Sequence, residues 1–130
     1  IAIVGNGRLV GAPLARIWRQ AGYDVTVFDE NSKNVAKNLR RYALIVSAAG
    51  APNLITSQSI QPGAVVVDAA TSAEHGKIVG DVADDVRQRK DLTITPEKGG
   101  VGPLTVVALF ENVIHAARAA AGKPTDQASL

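Results

Sequence analysis

An α/β fold built on a doubly wound parallel sheet, Rossmann-like and forming a single domain, is predicted by three observations. Short apolar runs recur along the chain with helical or turn segments between them, the first run ends in glycines that open an amphipathic stretch, and an acidic residue directly follows the second run. The first strand is expected over 1–5, where Ile1-Ala2-Ile3-Val4 is apolar without alternation, as suits a strand covered on both faces. The turn Gly5-Asn6-Gly7-Arg8-Leu9-Val10-Gly11-Ala12-Pro13 leads into a helix over 13–21, with Leu14, Ile17, Trp18 and Ala21 on its apolar face and Trp18 in the core. Pro13 suits the start of that helix and Gly22 its end. A second strand over 24–28 carries Val25-Thr26-Val27-Phe28, and a helix over 33–42 follows, with Val35, Leu39 and Tyr42 buried. Further strands are expected over 44–48, 64–68 and 92–95, and helices over 57–60 and 83–90. Gln61-Pro62-Gly63 punctuates the approach to the fourth strand. A last helix over 104–121 is the longest; its composition predicts broad packing, with Glu111, His115 and Arg118 on one polar face.

The domain organisation expected is one dinucleotide-binding domain over 1–122 and a flexible tail over 123–130. At 130 residues and 46% hydrophobic content the chain can bury one core, and a second catalytic domain does not fit. Acids and bases are interspersed to a net charge of +2, so the pI of 9.2 reflects a small imbalance. Lys33, Lys37, Arg40 and Arg41 form the one basic cluster and are read as the solvated side of a helix, which argues against a nucleic-acid partner. The absence of cysteine excludes disulfides, thiolate metal sites and cysteine nucleophiles, and fits the cytoplasmic location expected here. No apolar stretch approaches a membrane span, so no membrane partner is expected. The sequence has no methionine and begins inside a strand, which suggests a piece of a longer protein.

The first glycine turn carries the chemistry. A strand that ends in glycines and turns into a helix brings backbone N–H groups and the positive helix terminus to one anion. The G-x-G-x-x-G pattern is imperfect, because Val10 holds the third glycine position and Gly11 follows it. Taken alone the glycines also suit turn positions with φ above zero; the order strand, glycines, helix, strand and acid favours a phosphate seat. Asp29 follows Gly7 by 22 residues, close to the roughly 20 at which an acid reaches a ribose hydroxyl. The alternative for Asp29 and for Asn31 is to cap the next helix. Ligands of such sheets lie beyond the carboxyl ends of the strands, which here are followed by segments 5–10, 29–31, 48–53, 69–72 and 96–105, rich in small residues.

Other constellations are weaker. His75 in an exposed turn and His115 on a helix lack metal-ligand spacing, so no metal is expected. Ser47, Ser57 and Ser59 lack the G-x-S-x-G elbow of a serine hydrolase. Asp84 and Asp85 suit a helix N-terminus, and Asp81 suits a cap of that helix, with a place at the cleft edge as the second option.

A second glycine turn, Lys98-Gly99-Gly100-Val101-Gly102-Pro103-Leu104-Thr105, stands between a strand ending in Pro96 and the long apolar helix. The run from Thr95 to Val106, with Leu109, Glu111 and Asn112, closely resembles the bifunctional methylenetetrahydrofolate dehydrogenase/cyclohydrolase family. So do Val10-Gly11-Ala12-Pro13, Ser47-Ala48-Ala49-Gly50-Ala51-Pro52-Asn53, Ile60-Gln61-Pro62-Gly63-Ala64-Val65-Val66-Val67-Asp68 and Gly76-Lys77-Ile78-Val79-Gly80-Asp81-Val82. These blocks occur in the family's order over almost the whole chain.

The resemblance implies a C-terminal NAD(P)-binding domain. In the family a preceding domain, absent from this sequence, contributes a catalytic lysine with a nearby tyrosine and most of the folate site. By the same resemblance the dinucleotide contacts fall on Gly5, Asn6, Gly7 and Thr71, with Ala49 and Gly50 alongside, while Gly99, Gly100, Val101, Gly102 and Pro103 lie beside pterin and nicotinamide. Arg8, Leu9 and Val10 complete the expected pyrophosphate loop, and Asp29 with Glu30 the expected ribose site. None of the catalytic residues is expected in this chain, which is expected to bind dinucleotide without turnover; the full-length protein is expected to be a homodimer.

Departures from the family pattern gather at the cleft. Gly5-Asn6-Gly7 stands where the family commonly has Gly-Arg-Ser or Gly-Ala-Ser, Ala69-Ala70-Thr71-Ser72 replaces a Val-Gly-Ile-Asn stretch, and Glu97-Lys98 replaces Val-Pro. At the end of the second strand NADP-using members carry a histidine, a serine and a basic residue, whereas this chain has Asp29-Glu30-Asn31. A carboxylate accepts from a ribose hydroxyl and repels a 2′-phosphate, so NAD is expected over NADP. The function expected is hydride transfer from methylenetetrahydrofolate to the dinucleotide. The alternatives are a non-catalytic module that senses or displays NAD, and a dehydrogenase for another substrate.

Overall fold

The computed structural model describes residues 1–74 and 77–124. It divides into two compact units, Ile1–Lys98 and Gly99–Leu130. The first holds a five-stranded sheet in the order β2-β1-β3-β4-β7, parallel throughout, with β1 Ala2–Val4, β2 Thr26–Phe28, β3 Leu44–Ser47, β4 Val65–Asp68 and β7 Thr93–Ile94. Four helical segments belong to this unit: α1 Gly11–Gln20, α2 Val35–Leu39, a 3-10 turn Ser57–Ser59 and α3 Asp84–Arg87.

The two-residue repeat of a strand sends neighbouring side chains to opposite faces, and the core is divided accordingly. Ala2, Val4, Ile45 and Val66 join one cluster with Leu39, Ile55 and Val86, whereas Ile3 and Val46 join a second with Ala15 and Val25. Both faces of the sheet are therefore covered, which is why the strands read as unbroken apolar runs. Phe28 closes the larger cluster and meets Tyr42 edge-to-face at 5.9 Å.

Each expected strand is present, with shorter ends. The expected helix over 33–42 reduces to α2 because Asn34 adopts φ 55 in the left-handed region, so no helical turn forms ahead of Val35. In contrast α1 starts two residues early, since the Ala12 N–H reaches the Gly7 carbonyl and the Leu14 N–H the Val10 carbonyl. Its buried face is centred on Gly11, Ala15 and Trp18, which places Ile17 roughly a third of a turn away; Ile17 is 58% exposed and Ala21 is exposed too, so neither joins the core as expected. Lys33, Lys37, Arg40 and Arg41 are all exposed.

A short antiparallel strand pair, β5 Ser72–Glu74 with β6 Lys77–Val79, was not anticipated, because strands of three residues are too short to leave a periodic signal. His75, read as a turn residue, lies outside the described residues, as does most of the tail over 123–130. At the far edge Arg89 donates to the Ser57 and Ile60 carbonyls and pairs with Asp91 at 2.6 Å. That hydrogen bond holds the Asp91 carboxyl below its ordinary pKa and raises the Arg89 guanidinium.

The second unit carries α4, Val101–Ala120, preceded by Gly99 at φ 74. None of its residues is buried, and Leu104, Leu109 and Phe110 are each more than 60% exposed. The broad packing expected from its composition is therefore not found, because a helix apolar all round is buried only where neighbours surround it.

Candidate functional site

Strand order fixes where a site can form. From β1 the chain crosses to β2 on one side and then returns to β3 on the other, so the loops after β1 and β3 diverge at the point where the order reverses. A cleft of about 660 Å³ opens there, within the range of small-molecule sites. Val4 at the end of β1 lines it with Gly5, Asn6 and Gly7 of the following loop, as do Ala48, Ala49, Ala51 and Leu54 after β3. Phe28, Asp29, Glu30, Asn31, Ser32 and Val35 close the β2 side.

The glycines divide their work. Gly5 has φ 99, and a Cβ there would stand 2.5 Å from the Ala48 carbonyl oxygen. A Cβ on Gly11 would come within 1.8 Å of the Gly5 carbonyl oxygen, so helix and strand approach at a distance only glycine permits. That is the office of the third glycine in a dinucleotide fingerprint, and here it falls one position later, at Gly11 and not at the Val10 position. Gly7 differs from both: nothing lies within 4 Å of its would-be Cβ, and it faces the cleft.

Between these glycines the backbone is unspent. The Gly5 N–H donates to the Phe28 carbonyl at 2.7 Å, but among the described residues the N–H groups of Asn6, Gly7, Arg8, Leu9 and Val10 meet no protein acceptor. Consecutive unpaired N–H groups at the head of a ten-residue helix are the donor arrangement that an anion cradle requires. The donor set therefore fits a dinucleotide pyrophosphate. Gly7→Ala is expected to leave unfolding free energy within about 0.5 kcal/mol, because the methyl meets no protein atom. The same methyl intrudes on the cradle and is expected to weaken dinucleotide affinity about tenfold; denaturant unfolding and calorimetric titration measure the two effects separately.

Asp29 is exposed, and its Oδ1 accepts from the Asn31 N–H at 3.0 Å and from Ser32 Oγ at 2.9 Å. The Asp29 N–H in turn donates to Ser32 Oγ. Neither Asp29 nor Asn31 caps the following helix, whose N-cap position belongs to Asn34; the carboxylate instead closes its own four-residue turn. Among the described residues Oδ2 has no partner, so one carboxylate oxygen remains available at the cleft.

The loop after β3 is held from beneath. Asp81, fully buried, accepts from Ser47 Oγ at 2.6 Å, the Ala49 N–H at 2.8 Å and the Ala51 N–H at 2.7 Å. It does not cap α3 as expected, since Ala83 occupies the N-cap position. Asp68, at the end of β4, pairs with Arg87 at 2.8 Å and accepts from the N–H groups of Asp81 and Val82.

Of the residues expected to bind dinucleotide, the structure gathers Gly5, Asn6, Gly7, Asp29, Glu30 and Ala49 around the cleft. Arg8, Leu9 and Val10 do not line it, because the loop turns outward there and Leu9 is 93% exposed. Gly50, at φ 67, turns its carbonyl to Ser72 Oγ at 3.0 Å, and Thr71, beside Ser72, is exposed; neither Gly50 nor Thr71 is a lining residue. Gly99, Gly100, Val101, Gly102 and Pro103 lie in the second unit, where Gly100 holds the N-cap position of α4. Leu54 was missed, since no motif marks it. Phe28 and Ala48 were legible as the last residues of their expected strands. Among the described residues no cluster of His, Cys, Asp or Glu suits a metal ion, and no helix is long and apolar enough to cross a membrane.

Comparison with known proteins agrees with this geometry. Residues 1–121 match the family model of the tetrahydrofolate dehydrogenase/cyclohydrolase NAD(P)-binding domain. The bifunctional protein FolD of Aquifex aeolicus is 44% identical over 116 residues, 88% of this chain and 39% of the relative. That of Macrococcus caseolyticus is 38% identical over 120 residues, 92% of this chain and 43% of the relative. The crystal structure of the FolD methylenetetrahydrofolate dehydrogenase/cyclohydrolase from Campylobacter jejuni superposes with a TM-score of 0.81 at 39% identity, covering 90% of this chain and 42% of that one. The Trypanosoma brucei enzyme, solved with NADP and an inhibitor, gives a TM-score of 0.77 at 36% identity, covering 87% and 41%. The chain thus spans about two fifths of the length of these relatives. With a cleft at the switch point of a parallel sheet and a family match over residues 1–121, the chain belongs to the tetrahydrofolate dehydrogenase/cyclohydrolase family, as its NAD(P)-binding domain.

Proposed function

We propose that this chain binds the dinucleotide for a methylenetetrahydrofolate dehydrogenase that takes hydride from methylenetetrahydrofolate, and that it prefers NAD to NADP. The observation that carries the binding mode is the run of unpaired N–H groups from Asn6 to Val10 beside the open face of Gly7. In this reading the free N–H groups of Asn6 and Gly7 at the cleft receive the pyrophosphate, Arg8, Leu9 and Val10, which do not line the cleft, are assigned to its outer edge, and Gly5 serves by its bare backbone, since its own N–H is taken by the Phe28 carbonyl. Asp29, with Glu30 beside it, accepts from the adenosine ribose. The free Asp29 Oδ2 supports that role, and the same negative charge disfavours a 2′-phosphate. Ala49, on the cleft wall, flanks the nicotinamide, and Gly50 and Thr71, which do not line the cleft, are assigned to the same side by the family resemblance. Following the family resemblance, Gly99, Gly100, Val101, Gly102 and Pro103 are assigned to the folate side.

The bound dinucleotide supplies the hydride acceptor. This chain's residues supply binding and orientation, and the folate site with its proton-transfer groups is assigned to the part of the protein that the family has outside this domain. The cytoplasm and a homodimeric full-length enzyme complete the proposal. Its test is turnover by the full-length protein given methylenetetrahydrofolate with NAD or NADP, followed by the absorbance of the reduced nicotinamide. Faster turnover with NAD supports the proposal; no turnover with either dinucleotide contradicts the enzymatic role, and faster turnover with NADP contradicts the preference.

A further inference from the structure

We infer that Asp81 is a positioning residue for the dinucleotide: its buried carboxylate sets the wall of the cleft by fixing the amides of Ala49 and Ala51. The loop after β3 lines the cleft through Ala48, Ala49 and Ala51, yet it has few means of holding its own shape. The side chains of Ala48, Ala49 and Ala51 are methyl groups, and Gly50 among them adopts φ 67. The anchors come from 30 and 32 residues away, as Asp81 Oδ1 accepts the Ala51 N–H and Oδ2 accepts both the Ala49 N–H and Ser47 Oγ. A carboxylate that takes two amides of one loop defines the distance between them, which a single hydrogen bond does not.

The anchor is itself fixed. Asp68 accepts from the N–H groups of Asp81 and Val82 at 3.2 and 3.3 Å while Arg87 holds it at 2.8 Å. From the other side the Asp81 carbonyl accepts the Ile55 N–H, and the Ala83 N–H reaches the Ile55 carbonyl. Gly80 leaves room for this arrangement, since a Cβ there would fall on the Asp68 carboxylate, 2.0 Å from Oδ2. Two carboxylates in series thus connect the end of β4 to the cleft. None of their oxygens lines it, so Asp81 acts through the loop and not on the ligand.

Because this role rests on the dinucleotide reading, the test separates the two. Asp81→Asn keeps the volume but turns an NH2 group towards either Ala51 or Ala49, so that donor meets donor. Ser47→Ala removes a hydroxyl from the same buried carboxylate and leaves both amide bonds intact, which makes it the control for lost stability. NADH affinity, measured by fluorescence titration alongside thermal melting, is expected to fall about tenfold in Asp81→Asn and to stay within about twofold in Ser47→Ala. In the unsubstituted protein, NADH is expected to shift the amide resonances of Ala49 and Ala51, a result that does not depend on how well either variant folds. Unmoved amides, or equal losses of affinity in the two variants at similar melting temperatures, would overturn the role of Asp81. If the unsubstituted protein binds neither NADH nor NADPH, the dinucleotide reading itself fails and the positioning role falls with it.

Discussion

Replacing Gly11 with alanine is expected to destabilise the protein by about 3 kcal/mol, at the upper end of the cost of overpacking a core. Helix propensity alone favours the substitution by about 1 kcal/mol, because alanine is the better helix former. Sterics decide otherwise. The new Cβ would lie 1.8 Å from the Gly5 carbonyl oxygen and 2.9 Å from its carbonyl carbon, and both are backbone atoms that no rotamer change can remove. Relief requires α1 to withdraw from the end of β1, which strips the Ala15 and Trp18 side of the core of its contacts with Ile3 and Val46. Withdrawal also opens the cradle between Gly5 and Gly11, so dinucleotide affinity falls together with stability. Urea unfolding measures the effect, and a change within about 0.5 kcal/mol would show that the helix does not approach the strand this closely. Gly7→Ala provides the contrast within one loop, since there affinity alone is expected to suffer.

Asp29→Asn is expected to reverse most of the discrimination against NADP. An asparagine Oδ1 can still accept from the Asn31 N–H and from Ser32 Oγ, so the turn over 29–32 survives while its charge is lost. A carboxylate about 5 Å from a 2′-phosphate repels it by about 3 kcal/mol at an effective dielectric constant near 20, a factor on the order of 100 in affinity. Glu30 remains and keeps part of that repulsion. Affinity for NADP is therefore expected to rise about tenfold and affinity for NAD to fall by a smaller factor, as one acceptor from the ribose weakens. Calorimetric titration of both dinucleotides against both proteins measures this. An unchanged ratio would remove Asp29 from the ribose site.

The parts of this molecule that obey a short-range rule were readable from its sequence. Ile1-Ala2-Ile3-Val4 reads as a buried parallel strand because both of its faces are covered, and the two core clusters that divide Ile3 from Ala2 and Val4 supply the reason. The glycine turn was readable as a fingerprint with one position out of place. Only the approach of Gly11 to the Gly5 carbonyl shows that the closing glycine was displaced and not lost. What escaped the sequence depended on distant partners. Asp81 precedes a predicted helix and so resembles a cap, but its three donors come from Ser47, Ala49 and Ala51 on another strand and its loop. Ile17 fits the helical apolar pattern but lies on the flank of a face centred on Gly11, a small residue that hydropathy does not weigh. Leu54 enters the cleft through a loop with no periodicity to announce it.

Binding of a dinucleotide in the cleft between the loops after β1 and β3, with NAD selected by Asp29, underlies the expected changes in affinity. It is tested most directly by calorimetric titration of the protein with NAD and NADP in parallel at one ionic strength, since screening alters the repulsion on which the choice depends. Tighter binding of NAD, by a factor on the order of 100, is the result expected. Equal affinities or tighter binding of NADP would contradict the role given to Asp29.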